Sequence, residues 1–225
     1  MKKSFLTVLV LLVLMVSFFA IGCEKDKSSE VVQKYEAMIK DFEEYQKSAK
    51  VVDSLDMFID KVIENLYTGE EQETKEKSDK LVLDDTEDHH GKIENLVLSI
   101  IGYDKSIDIN SYNGSFEGNS TLKENGIEMS ISTPNDIVIK YKEVKGTEET
   151  EEKTLNISIN LSLVETVDEK GSTETRKYSN IKVKDTTFGD ITRVTFYSTE
   201  TNTTEFREAK IGDKTVDLRL INATR

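Results

Sequence analysis

The residues best equipped for chemistry sit together. Asp84-Asp85-Thr86-Glu87-Asp88-His89-His90-Gly91 holds both histidines of the chain beside four carboxylates. Imidazole and carboxylate donors suit zinc, nickel or manganese. His89, His90, Asp85 and Asp88 are therefore the candidate ligands. Their spacing argues against a site. Adjacent side chains on an extended strand point to opposite faces, and gathering them in a loop carries an ordering cost. The run is not the His-Glu-x-x-His of a helical zinc site. It is not a calcium loop either. Counted from Asp84, the sixth position is His89 where glycine is needed, and the twelfth is Asn95 where glutamate is needed. The expectation is a solvated acidic loop, with no metal and no cofactor.

Other catalytic chemistry is poorly supplied. A serine nucleophile would need His89 or His90 as its base, and no Gly-x-Ser-x-Gly elbow occurs. No glycine-rich phosphate loop or dinucleotide fingerprint is present. The 43 acidic residues allow many carboxylate pairs, but tryptophan is absent and the tyrosines are scattered, so no sugar-stacking cleft is indicated. The chain reads as a non-enzyme.

One further reactive group remains, Cys23, the only cysteine. Lys2 and Lys3 precede a stretch, Phe5 to Ile21, whose only polar residues are Thr7 and Ser17. That is the pattern of an export signal. It ends in Ala20-Ile21-Gly22-Cys23. Residues 1–23 resemble the signal peptide and lipobox of bacterial lipoproteins. The resemblance implies a diacylglyceryl thioether on the Cys23 sulfur and cleavage before Cys23, with acylation of the freed amine in many bacteria. Two acyl chains are what stable anchoring needs, since each buried CH₂ contributes about 0.8 kcal/mol. Lipidation also accounts for a lone cysteine in an exported chain, where thiols usually pair. An uncleaved anchor of this stretch would span about 25 Å, at the short end for a bilayer core. A plain secretory signal is the third reading. All three place the body outside the cytoplasm, and the first ties it by lipid to the cell membrane or outer membrane.

Removing Lys2 and Lys3 with the leader takes the formal net charge from −13 to −15. So acidic a body repels nucleic acid and anionic headgroups. The membrane is then a partner through the lipid at Cys23 alone, and nucleic acid is not expected as one.

The elements that must carry these residues follow from periodicity. Residues 23–29 read as a tether and 30–68 as a helical segment. Apolar residues at Val31, Tyr35, Met38, Phe42, Tyr45, Ala49 and Val52 alternate in steps of four and three. The stripe shifts near Lys47–Asp53, which favours a bend or a helix pair over one helix. Residues 69–92 are mostly charged and read as an acidic mobile linker. From 93 to 225 the period becomes two. Leu155, Ile157, Ile159, Leu161 and Leu163 alternate with Asn156, Ser158, Asn160 and Ser162, which predicts a strand with one buried face. Turn residues such as Glu124-Asn-Gly126 and Glu169-Lys-Gly171 leave only short connections, so neighbours should pair antiparallel. The fold class is α+β: an N-terminal amphipathic helix or helix pair, then an antiparallel meander or sandwich of about 8–10 strands.

Together these readings describe a membrane-anchored extracytoplasmic lipoprotein acting by binding or as a surface-structural protein. The alternative is a carrier of an apolar ligand, held where a curved sheet and helix enclose a cavity. Ile157, Ile159 and Leu161 discriminate: they would line the cavity of a carrier and fill the core of a binder.

Overall fold

Tyr45, Ser48, Val52, Leu55, Ile59, Val62 and Leu66 repeat in alternating steps of three and four, and all seven are buried. They lie on α1, Lys25–Tyr67, a helix of 43 residues. The computed structural model describes residues 25–67, 76–146 and 148–216. The expected bend at Lys47–Asp53 is not found. A serine, Ser48, holds the core position where an apolar residue was sought, so the row never shifts. A second serine inside the helix, Ser54, satisfies its own hydroxyl by donating to the Lys50 carbonyl at 2.8 Å. The expected tether also yields in part, because α1 begins at Lys25. No glycine or proline stands there to stop it. The chain divides into two units, Met1–Glu43 and Glu44–Arg225. The described part of the first is helix, and the side chains of Tyr35, Met38 and Phe42 lie outside the described residues. Among the described residues no helix is long and apolar enough to cross a membrane.

The second unit holds the sheet. The expected acidic linker is replaced over most of its length by ordered elements: β1, Glu76–Val82, and α2, Glu87–Ile101. Residues 69–75 of that linker lie outside the described residues. β1 is an edge strand whose charged residues suit an edge. α2 also takes the first residues assigned to the β-domain; β1 precedes it in the sheet, and the strands resume after it at Ser106. The reason is a helical pattern within an apolar run. Ile93, Leu96 and Val97 fall at helical spacing and are buried, and Gly91 is accommodated inside the helix.

The remaining strands are β2 (Ser106–Asn113), β3 (Ser115–Lys123), β4 (Gly126–Ser132), β5 (Ile137–Lys145), β6 (Glu148–Glu149), β7 (Lys153–Asp168), β8 (Gly171–Val183), β9 (Thr186–Thr187), β10 (Ile191–Ser198), β11 (Thr203–Ile211) and β12 (Lys214–Val216). All belong to one antiparallel sheet of twelve strands, so the architecture is a meander and not a sandwich. Its main order is β1-β3-β4-β7-β8-β10-β11-β12, with β2 paired to β5. Three of the twelve are only two or three residues long, which accounts for the excess over the expected number.

The centre is β7. Its lower half pairs with β5, from Tyr141↔Lys153 to Ile137↔Ile157. Its upper half pairs with β4, from Ser132↔Asn160 to Gly126↔Thr166. The ladder therefore forks at Ile159. Thr133 closes the gap: its N–H donates to the Ile159 carbonyl at 3.1 Å, and its Oγ1 accepts from the Ile159 N–H at 3.1 Å. Buried backbone groups need such partners. On the opposite edge the register with β8 slips between Ser158 and Asn160. The extra β8 residue is absorbed by Asn180, at φ 51°, a left-handed conformation that asparagine tolerates better than most side chains.

From Glu44 onward α1 lies on the inner face of this sheet. Leu155, Ile157, Ile159, Leu161 and Leu163 are all buried, as their alternation predicts, and join the α1 row in one core. The helix packs closely over Gly118 of β3, where a Cβ would meet Val62 Cγ1 at 2.7 Å and Leu66 Cδ1 at 2.8 Å. Gly118→Val should therefore destabilise the body by about 1–3 kcal/mol through overpacking. Ile159→Ala should cost about 2–5 kcal/mol. Ser158→Ala, on the other face, should stay within about 0.5 kcal/mol. Urea denaturation of the three variants checks this, and equal effects at positions 158 and 159 would contradict a one-faced sheet.

Candidate functional site

The acidic-histidine run folds as the start of a helix. Thr86 is the N-cap of α2, with its hydroxyl oxygen accepting from the His89 N–H at 3.4 Å. Glu87 and Asp88 occupy the first turn, where negative charge complements the helix dipole. Helical geometry then sends the candidate ligands apart. His89 turns inward and meets the Phe58 ring edge-on at 5.8 Å. Its Nδ1 lies 2.7 Å from Asp84 Oδ1. Asp88 turns outward to Lys92, 2.7 Å away, and that hydrogen bond holds its carboxyl below the usual range. His90 packs near the Tyr112 ring at 6.2 Å, and Asp85 is exposed. Tyr112 Oη donates to the Asp84 carbonyl at 2.7 Å, tying this turn to β2. Among the described residues no three His, Cys, Asp or Glu side chains gather around a point that could hold a metal. Cys23 lies outside the described residues.

A different cluster, missed in the sequence, is assembled between α1 and the sheet. Arg176 on β8 and Arg193 on β10 stand directly opposite each other. Two like charges so placed repel. Three aspartates on one face of α1 answer them. Arg193 reaches Asp53 Oδ1 at 2.6 Å and Asp56 Oδ2 at 3.3 Å. Arg176 reaches Asp60 Oδ1 at 2.8 Å and, on its own strand, Glu174 Oε1 at 2.8 Å. Tyr178 Oη donates to Asp56 Oδ1 at 2.9 Å, and the Arg193 guanidinium lies 5.7 Å from the centre of the Tyr178 ring.

Burial grades the cluster. The side chain of Asp53 is 56% exposed and that of Asp56 only 18%. Burial pushes the Asp56 carboxyl up to about 6, against the opposing pull of Arg193. Burial also raises the Tyr178 phenol, helped by the Asp56 charge, and the Tyr45 phenol beside Arg193. The signal was available in the spacing: Asp53, Asp56 and Asp60 fall at i, i+3 and i+7, and arginine is scarce in a lysine-rich chain. Only the strand register reveals that Arg176 and Arg193 meet.

Open depressions mark the surface of the described residues. One, of about 490 Å³, lies over β1 and β3 between Asp79 and Glu117. Another, of about 560 Å³, is floored by Tyr67, Leu122, Ile127 and Val167 at the end of α1.

No family model, curated protein or solved structure matches this chain.

The arrangement of Arg176, Arg193 and the three aspartates is that of a clasp. Arg193→Met should destabilise the body by about 3–5 kcal/mol, because it leaves Asp56 buried without its counter-charge. Asp53→Asn, at an exposed carboxyl, should cost less than about 1 kcal/mol. Chemical denaturation at pH 7 checks the pair. Similar small losses would mean that the clasp contributes little.

Proposed function

We propose that the chain is a membrane-anchored extracytoplasmic bacterial lipoprotein whose β-domain works by binding or as a surface-structural element, without catalysis. The observation that carries the reading is Cys23 directly after Gly22 at the end of a basic-then-apolar leader. A lone thiol there has a use as the attachment point of a diacylglyceryl group, which supplies the two acyl chains that anchoring needs. The first described helix, α1, starts at Lys25.

The choice of binder over carrier rests on the core. Ile157, Ile159 and Leu161 are buried against α1 and its neighbours, and neither surface depression is lined by them. Their burial among other core side chains supports a filled interior over a ligand cavity. The outer face of the sheet is rich in Ser, Thr, Asn and Lys, exemplified by the aligned row Asn119, Ser130, Ser162, Lys177 and Thr192. Such a face suits solvent or a polar surface.

Protein taken from a bacterial membrane fraction should begin at Cys23 and carry a diacylglyceryl group, read by intact mass and by mass spectrometry of the N-terminal peptide. Cys23→Ser should lose the lipid and either leave the membrane fraction or persist as precursor. An unmodified thiol at Cys23 in the wild-type chain would overturn the proposal.

A further inference from the structure

Four carboxylates, Asp53, Asp56, Asp60 and Glu174, face two guanidiniums, Arg176 and Arg193, at the seam of α1 with β8 and β10. With every group ionised the cluster carries an excess of two negative charges. Water can screen Asp53 and Asp60, whose side chains are about half exposed. Asp56 has the least access to water of the three α1 carboxylates and is the one for which burial of charge costs most. It is also the one with a hydroxyl at hand. Tyr178 Oη, 2.9 Å from Asp56 Oδ1, can donate to the carboxylate or accept from the carboxylic acid. Both states of Asp56 can therefore be hydrogen-bonded in place.

We propose that Asp56 is a proton-binding group that tightens the seating of α1 on the sheet as the surroundings acidify. The charged and titratable groups acting on it are Asp60 from α1, Arg176 and Tyr178 from β8, and Arg193 from β10, with Asp53 and Tyr45 beside Arg193 and Glu174 on Arg176. Binding a proton removes one of the two excess negative charges and leaves Arg193 paired with Asp53 at 2.6 Å. The direction follows from linkage. Asp56 binds its proton more tightly in the folded protein, at about 6, than at the ordinary value of 3.8. The stability that this proton contributes is fully present below about pH 4 and is lost as pH rises through about 6. The inference does not depend on the lipid at Cys23.

The test uses the full chain and its Asp56→Asn variant. Carboxyl-carbon NMR should show the Asp56 side chain titrating near pH 6. Between pH 7 and pH 5 the folding equilibrium of the wild type should become about tenfold more favourable relative to that of Asp56→Asn. Amide protection between Val51 and Ile59, corrected for intrinsic exchange, should rise over the same interval in the wild type. Ser158→Ala, on the outer face of the sheet, should retain the wild-type pH dependence. Titration of Asp56 in the ordinary carboxylate range, or the same pH slope in wild type and Asp56→Asn, would overturn the proposal. If Asp56→Asn does not fold, the wild-type titration decides by itself.

Discussion

Everything in the body depends on covering the inner face of one curved sheet. An antiparallel sheet with one apolar face must bury that face, and among the described residues there is no second sheet to do so. α1 takes that role. Its row from Tyr45 to Leu66 crosses from the β8–β10 side, where Asp53, Asp56 and Asp60 meet the arginines, to the β3 side, where Val62 and Leu66 rest over Gly118. A side chain at 118 would hold the helix off the sheet. The missing Cβ of one glycine thus sets the distance at which the two layers pack.

α1 and α2 both contribute to the core on this face, and two irregularities of the sheet meet at Ile159. On one edge of β7 the partner changes from β5 to β4, with Thr133 bridging the interval by main chain and hydroxyl. On the other edge an extra β8 residue is absorbed at Asn180. A bulge increases twist and re-aims the strand. Two irregularities on opposite edges at one residue let the sixteen-residue β7 serve both halves of the sheet while its inward side chains stay in a single core.

The polar seam gives this seating direction. Apolar burial alone is non-directional, and the α1 row would tolerate sliding along the sheet. The pairing of Asp53 and Asp56 with Arg193, and of Asp60 with Arg176, admits one register. Buried ion pairs add little net stability because desolvation offsets attraction. Their value in this molecule is in specifying where α1 lies.

By itself the sequence determined the strand alternation, the turns and the one-faced character of Leu155–Leu163, because a period of two follows directly from backbone geometry. It also determined the helical character of α1. Its reading stopped at groups whose role depends on distant partners. The apolar stripe read as shifting near Lys47–Asp53 until the sheet made Ser48 a core position. The charged run before Gly91 looked like a loop, because the N-cap at Thr86 and the helical spacing of Ile93, Leu96 and Val97 were outweighed by local polarity. Arg176 and Arg193 are seventeen positions apart in the chain and became opposite neighbours only through the β8–β10 register. Tertiary structure decided that three aspartates on one helix face would meet them, because a charge buries only where an opposing charge has been brought to the same place.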